Sequence, residues 1–165
     1  FTNYPLEFYE LFQEIVKWGE KTPNLAHQVL ADYDVSVITQ NIDGLHQKAG
    51  SKRVIEVHGN CRTLVCRSCG LVARASETLA RTDLPLKRRI RCTRCSDILD
   101  TTVVLYGDDL NGWPKAVEET GRADLFLVIG TSLQTYPANQ LPLFAKRNGC
   151  PVIYINNDCI GAFST

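Results

Sequence analysis

Residues 123–133, ADLFLVIGTSL, join an unbroken apolar run to a glycine and two hydroxyl residues. A continuous apolar run of this kind favours a strand of a parallel sheet that is buried on both faces. Gly130, Thr131 and Ser132 would follow that strand at its carboxyl end, the edge where open α/β sheets bind ligands. Small residues there suit a phosphate or ribose that backbone N–H groups hold. The stretch therefore predicts a parallel sheet with a nucleotide site at its edge.

Helix and strand patterns alternate along the rest of the chain. An amphipathic helix is predicted over 5–18, and a second helix is predicted to begin at Thr22-Pro23. The second helix is expected to turn four apolar residues inward: Leu25, Ala26, Val29 and Leu30. Further strands are predicted over 35–39, 54–57, 103–106 and 152–155, and further helices over 113–120 and 139–147. The fold class is therefore α/β, a Rossmann-like parallel sheet with helices on both faces and a small inserted module.

Four of the seven cysteines form two identical pairs, Cys66-Arg-Ser-Cys69 and Cys92-Thr-Arg-Cys95. Each Cys-x-x-Cys knuckle places two sulfurs on one side, and two knuckles make a tetrahedral thiolate cage for zinc. The 22 residues between the pairs slightly exceed the usual spacing of zinc ribbons, which tolerate a longer insert. Disulfides are disfavoured because no secretion signal is visible. Cys61, Cys150 and Cys159 fit no pattern and are interpreted as ordinary packed thiols.

The segment between Cys66 and Cys95 is basic, with eight Lys and Arg residues against two acidic ones, Glu77 and Asp83. The whole chain is balanced at 18 basic and 18 acidic residues. A basic zinc ribbon is a surface that can contact nucleic acid, so a nucleic-acid-binding regulator is one hypothesis. The segment lacks the interleaved aromatic residues of a single-strand binder, and a solvated basic face is the simpler interpretation.

Polar residues recur where the predicted strands end: Gln40, Asn41, Asp43, His58, Thr131, Ser132, Asn156 and Asn157. Carboxyl ends of parallel strands meet at one edge, so these side chains predict a dinucleotide site. Asp43-Gly44 is also good turn chemistry, and that alternative needs no ligand. The chain contains no Gly-x-Gly-x-x-Gly turn, so we expect a glycine-rich first strand upstream of residue 1.

The 165 residues suffice for one domain carrying a small module, and 44% hydrophobic with 22% charged residues is ordinary for a globular protein. No apolar stretch approaches the ~20 residues that span a bilayer. The first residues have neither a basic start nor a small-residue cleavage site. We therefore expect a cytoplasmic protein, or a nuclear one if the source is eukaryotic.

Seven stretches together resemble the sirtuins, the family of NAD-dependent protein deacylases. They are TPNLAH (22–27), TQNIDGLHQKAG (39–50), VIEVHGN (54–60), the two Cys-x-x-Cys pairs, VVLYGD (103–108), VIGTSLQTYPA (128–138) and INN (155–157). They stand in the family's order and at its spacing, and they cover nearly all of the chain. The resemblance implies removal of acyl groups, with acetyl expected, from protein lysines, releasing nicotinamide and O-acyl-ADP-ribose. The family's glycine-rich first strand and flexible cofactor loop would lie upstream.

The resemblance also implies roles for individual residues. Asn41 and Asp43 would line the pocket for the nicotinamide end of NAD, with Gln40 beside the ribose. His58 would be the general base, since an imidazole can accept a proton near neutral pH. His27 and His46 keep structural interpretations, in helix packing and in a loop.

The remaining implied roles concern phosphate, peptide and metal. Gly130, Thr131 and Ser132 would hold phosphate and ribose, and Asn156 the adenosine ribose. The predicted strand 103–106 would pair with the substrate peptide, with Val104 against the acyl-lysine and Tyr106 beside it. Tyr-Gly-Asp at 106–108 departs from the family's usual Phe-Gly-Glu. One zinc ion on Cys66, Cys69, Cys92 and Cys95 would be structural, because four thiolates leave no open position.

Two alternatives stand beside a deacylase: a sirtuin-like protein ADP-ribosyltransferase with the same NAD site, and the zinc-ribbon nucleic-acid-binding regulator. The expected partner is an acylated, lysine-containing protein or peptide, through which a role in transcriptional regulation would follow. No membrane partner is expected, and nucleic acid only indirectly or through the basic module. The expected domains are residues 1–60 with 100–165 for NAD and 61–99 for zinc.

Overall fold

A computed structural model describes residues 5–157. The helices are α1 (Pro5–Val16), α2 (Leu25–Asp32), α3 (Leu45–Ala49), α4 (Ala75–Leu79), α5 (Leu86–Arg89), α6 (Trp113–Gly121) and α7 (Leu141–Arg147), with 3-10 turns at Lys17–Glu20 and Ala138–Gln140. The strands are β1 (Val37–Thr39), β2 (Val54–Glu56), β3 (Thr63–Val65), β4 (Val72–Arg74), β5 (Asp100–Thr101), β6 (Phe126–Ile129) and β7 (Val152–Ile155). Parallel β-pairs and helices give the mixed α/β fold expected from the sequence.

The chain divides into two compact units, residues 1–111 and 112–165. The first unit contains the parallel pair β1–β2 and the antiparallel sheet β4–β3–β5. The second contains the parallel pair β6–β7. The domain boundaries expected near residues 60 and 100 stay a prediction.

Helix α1 shares one hydrophobic core with the cysteine-containing module. Tyr9 and Phe12 are fully buried there against residues of the module such as Leu64 and Leu99. The Tyr9 hydroxyl donates a hydrogen bond to the Leu99 carbonyl oxygen. Burial, followed by the charge of Asp100, raises the pKa of the Tyr9 phenol. The amphipathic pattern of α1 therefore serves to pack the helix on this module.

Strands β1 and β2 run parallel, with Val37 opposite Val54 and Thr39 opposite Glu56. Both are shorter than predicted, and the pairing continues beyond them through the bond from Val57 N to the Thr39 carbonyl oxygen, 3.0 Å. Their carboxyl ends therefore meet at one edge, as parallel pairing requires. That edge is followed by four of the polar residues that the sequence singled out: Gln40, Asn41, Asp43 and His58.

The prediction of a strand over 103–106 is wrong. The strand in this region is β5, which ends at Thr101. Beyond it, Val104 N donates to the His58 carbonyl oxygen at 3.0 Å. The Asp108 carboxylate accepts from Leu105 N at 3.0 Å, and Asp108 N donates to the Leu105 carbonyl oxygen at 3.0 Å. These local bonds fold the segment into a turn, so its N–H groups do not extend a ladder.

Helix α2 forms as predicted, but the wrong face was expected to point inward. Leu25 is 72% exposed and Val29 42% exposed, and Ala26 is exposed as well. The half-buried residues are His27, Leu30 and Ala31, which are three and four apart and share a face. This face meets α3, where the rings of His27 and His46 lie 4.5 Å apart. Packing against α3 therefore determined the orientation of α2.

In the second unit, β6 and β7 pair in parallel, with Leu127 opposite Ile153. Val128 is buried, but Leu127 and Ile129 are 39% and 40% exposed. The expectation that this strand is buried on both faces is therefore wrong for the described residues. Helix α7 packs on both strands of the pair.

Cys61 and Cys150 are buried as expected, and Cys159 lies outside the described residues. Within residues 5–157, no helix is both long enough and apolar enough to cross a membrane.

Candidate active site and metal centre

The loop after β1 is organised by its own side chains. The Thr39 hydroxyl oxygen accepts a hydrogen bond from Asn41 N at 3.1 Å, and the Asp43 carboxylate accepts one from Leu45 N at 3.0 Å. Gly44 has a φ of +74°, a left-handed conformation that glycine adopts without strain. The turn interpretation of Asp43-Gly44 is therefore correct. It also fixes the direction of the Asp43 carboxylate, so it is compatible with a ligand site.

His58 follows β2 and is held from two sides. Its Nδ1 lies 3.1 Å from the Gln40 carbonyl oxygen, and its own carbonyl oxygen accepts from Val104 N. A carbonyl oxygen can only accept, so Nδ1 must carry the proton in this hydrogen bond. In the neutral ring, Nε2 is then the nitrogen with a free lone pair. The backbone of Gln40 thus sets the tautomer that a general base needs.

These residues line one cavity of about 380 Å³ in the first unit. Its walls are Trp18, Gln40, Asn41, Ile42, Asp43, His58, Val103 and Val104. The fold thus brings together five of the residues predicted from the sequence, from three separate segments. Tyr106 is not among the lining residues and is fully exposed.

Trp18, Ile42 and Val103 were missed by sequence reasoning. Trp18 lies in the 3-10 turn after α1 and is 50% exposed. The Lys48 ammonium group donates to the carbonyl oxygens of Glu20 and Lys21 at 3.0 and 2.7 Å and so ties this turn to α3. For Trp18, the only signal in the sequence was a tryptophan among charged residues before Thr22-Pro23.

The predicted phosphate and ribose residues lie in the second unit, at the carboxyl end of β6–β7. Gly130 has a φ of +62°, and its N–H donates to the Ile155 carbonyl oxygen at 3.0 Å. The Asn156 side-chain amide donates to the Thr131 carbonyl oxygen at 3.1 Å. Ser132 is exposed in the same loop. Gly130, Thr131 and Asn156 are therefore brought together, as expected for two neighbouring parallel strands.

The four cysteines of the two knuckles converge, with all four Sγ atoms within 4.8 Å of one another. Cys66 Sγ lies 3.4 Å from Cys95 Sγ, and Cys69 Sγ lies 3.5 Å from Cys92 Sγ. A tetrahedral zinc with Zn–S bonds of about 2.3 Å needs sulfurs just under about 4 Å apart. The donor set and its spacing therefore fit one structural zinc ion.

Several basic residues of this module bond within the protein. Arg67 pairs with Asp100, and Arg74 pairs with Glu77 at 3.1 Å. Arg94 donates to the Cys69 carbonyl oxygen at 3.3 Å, and Arg89 donates to that of Leu79. These bonds within the protein agree with the simpler interpretation of a solvated basic face.

Comparisons with known proteins agree with this geometry. The model of the Sir2 family matches residues 1–137. The NAD-dependent protein deacetylase of Sulfolobus acidocaldarius is 42% identical over 166 residues, covering 96% of this chain and 64% of the relative. NAD-dependent protein deacetylase 1 of Geobacillus kaustophilus is 40% identical, covering 90% of this chain and 62% of the relative. The chain thus spans less than two thirds of the length of these relatives.

Solved structures show the same likeness. A structure of Sir2 bound to acetylated peptide has a TM-score of 0.86 and 36% identity, covering 96% of this chain and 69% of that one. A Sir2–p53 peptide–NAD+ structure has a TM-score of 0.83 and 36% identity, covering 94% and 68%. A family match over most of the chain, identities of 36% and more, and a shared fold lead to one conclusion: the chain belongs to the Sir2 family.

Proposed function

We propose that the protein removes acyl groups, acetyl first among them, from lysine side chains of proteins in an NAD-dependent reaction that releases nicotinamide and O-acyl-ADP-ribose. One observation carries the proposal: a histidine with a free Nε2 lone pair shares a cavity with the Asn41 and Asp43 side chains. Relatives named NAD-dependent protein deacetylase and a Sir2 structure with acetylated peptide support it.

In this reaction NAD supplies a nicotinamide leaving group and a ribose that accepts the acyl group. Asn41 and Asp43 hold the nicotinamide carboxamide, with Asp43 fixed in direction by its bond from Leu45 N. Gln40 lies beside the ribose and, through its carbonyl oxygen, keeps the proton of His58 on Nδ1. With NAD and the acyl-lysine bound, His58 would accept at Nε2 the proton of a ribose hydroxyl. The oxygen of that hydroxyl would bond to the acyl carbon, and the bond from this carbon to the lysine nitrogen would break.

The second unit, taken by itself, carries the residues proposed for phosphate and ribose. Gly130, Thr131 and Ser132 bind phosphate and ribose, and Asn156 binds the adenosine ribose. The positive φ of Gly130 and the bond from Asn156 to Thr131 support this assignment, because they order a polar loop at a sheet edge.

The substrate is an acylated, lysine-containing protein or peptide. Val104 lines the cavity beside His58 and contacts the acyl-lysine, while Tyr106 is exposed outside it and contacts the peptide. We place the protein in the cytoplasm, or the nucleus if the source is eukaryotic, with transcriptional regulation through deacylated partners.

The zinc ion on Cys66, Cys69, Cys92 and Cys95 has a structural role. Four thiolates complete a tetrahedron and leave no position for a catalytic water. The module shares its core with α1, so the metal stabilises the part of the fold that precedes Trp18 in the chain.

The test is to incubate the natural full-length protein with NAD and an acetyl-lysine peptide while nicotinamide and peptide mass are followed together. We expect one nicotinamide for each peptide that loses 42 Da, the mass of one acetyl group replaced by hydrogen. Nicotinamide release with ADP-ribose added to protein would instead indicate an ADP-ribosyltransferase. Salt-dependent nucleic-acid binding without consumption of NAD would refute both enzymatic functions.

A further inference from the structure

The geometry points to Arg62 as a positioning residue of the nicotinamide pocket, acting through Gly44 and Asp43. The inference rests on the proposed function, since it assigns Arg62 a task in that reaction. Arg62 does not line the cavity, so its effect must pass through the loop that carries Asn41 and Asp43.

Arg62 forms a two-bond ion pair with Glu56. Its Nη1 lies 2.9 Å from Glu56 Oε1, and its Nη2 lies 2.8 Å from Glu56 Oε2. The Glu56 side chain is only 13% exposed and the Arg62 side chain 39%. Glu56 ends β2 opposite Thr39, the last residue of β1. The pair therefore anchors the guanidinium group to the sheet edge from which the pocket loop departs.

The guanidinium group in turn lies directly against Gly44. A Cβ atom added to Gly44 would be 1.9 Å from Arg62 Nη1 and 2.6 Å from its Cζ. Gly44 separates Asp43 from Leu45, whose N–H holds the Asp43 carboxylate. The guanidinium group packs against Gly44 and so restrains the turn that sets the direction of the Asp43 carboxylate.

The backbone around Arg62 is tied to the same loop. Cys61 N donates to the Ile42 carbonyl oxygen at 2.9 Å, and Arg62 N donates to the Asn60 side chain at 3.1 Å. Gly19 also packs closely here, since an added Cβ would lie 3.3 Å from the Asp43 carbonyl oxygen. Both the backbone and the guanidinium group of Arg62 are therefore fixed, and the guanidinium group supports the loop that carries Asp43.

Lysine cannot replace this arginine. An ammonium group keeps the charge but cannot make two parallel bonds to one carboxylate, and it has no second nitrogen to lie against Gly44. Arg62→Lys therefore removes the geometry and retains the charge. Glu56→Gln is the milder partner variant, because it keeps the size of the side chain and one acceptor oxygen.

The chain offers a matched control at the other end of the same two strands. Arg53 precedes β2 and pairs with Asp34, which precedes β1, at 3.9 Å. Both side chains are about half exposed, at 57% and 50%. Arg53→Lys therefore changes an arginine–carboxylate pair at the start of the same two strands, at the end away from the pocket.

The experiment compares the natural full-length protein with Arg62→Lys, Glu56→Gln and Arg53→Lys. Measured are the inhibition constant of nicotinamide, kcat, and KM for an acetyl-lysine peptide, with thermal melting to verify folding. We expect Arg62→Lys and Glu56→Gln to weaken nicotinamide inhibition by about tenfold or more, because small misplacements of a positioning group are costly. The peptide KM should stay within about twofold, and Arg53→Lys should match the wild type.

Equal nicotinamide inhibition in Arg62→Lys, Glu56→Gln and Arg53→Lys would overturn the inference, as would a parallel rise in peptide KM. If Arg62→Lys fails to fold, Glu56→Gln decides by the same two constants. A wild type that releases no nicotinamide with NAD and peptide would instead refute the proposed function, and would be recognised before any variant is compared.

Discussion

Two glycines of the first unit allow the close packing around His58 to be tested against an internal control. Gly59 and Gly50 both have positive φ, +74° and +105°. A Cβ at Gly50 would meet nothing within 4 Å, whereas one at Gly59 would lie 1.8 Å from the Thr102 carbonyl oxygen. Both alanine variants therefore carry the left-handed strain, but only Gly59→Ala also forces two backbone segments apart.

The expected magnitudes follow from these contacts. Gly50→Ala should lower the free energy of unfolding by about 1–2 kcal/mol, the cost of a left-handed alanine. In Gly59→Ala the contact must open from 1.8 Å towards an ordinary 3.4 Å. That shift strains two hydrogen bonds, from Asn111 Nδ2 to the Thr102 carbonyl oxygen and from Val104 N to the His58 carbonyl oxygen. With about 1 kcal/mol for each bond, the total loss should be about 3–4 kcal/mol.

The same shift should move His58 relative to Gln40 and Val104. A displacement of about 1 Å can cost about 100-fold in rate, so kcat/KM should fall by that order in Gly59→Ala and stay near wild type in Gly50→Ala. Urea unfolding and steady-state kinetics on the natural full-length protein measure both effects. Equal losses of stability and activity in the two variants would refute the packing argument.

Four further outcomes are expected. His58→Ala should lower turnover by about 10²–10⁴-fold with melting and zinc content unchanged, and near-normal turnover would remove His58 from the base role. Asp43→Asn should weaken nicotinamide inhibition more than peptide binding, whereas unchanged inhibition would count against the pocket. Metal analysis should find one zinc per chain, and Cys66→Ser should lose the metal and unfold its module; zinc-free protein purified without chelator would contradict this. Burial, followed by nearby His27, lowers the pKa of His46. The unfolded state therefore binds this proton more readily, so melting temperature should drop as pH falls below about 6.5, and His46→Gln should reduce that drop.

Local patterns predicted most of the helices and strands and the cluster of four cysteines. The spacing of the two Cys-x-x-Cys pairs predicted a four-thiolate cluster, and the four Sγ atoms do converge. Apolar runs followed by polar residues predicted the strands β1, β2, β6 and β7, which pair in parallel. These predictions succeeded because each depends on a few neighbouring residues: a knuckle geometry, or a strand followed by a turn. The roles of His58, Asp43 and the unit 2 residues remain predictions.

Contacts between distant segments were decided only by the tertiary structure. The face that α2 buries depends on His46 in another helix, and the strand predicted over 103–106 is replaced by a turn because Asp108 bonds back to Leu105. The tautomer of His58 depends on a carbonyl 18 residues away, and the support beneath Gly44 depends on an arginine that no motif marks. Periodicity and spacing report only what one segment prefers by itself. Burial, hydrogen-bond partners and the direction of a catalytic side chain arise when segments pack, so the sequence determined the residue types of this site and the fold determined their geometry.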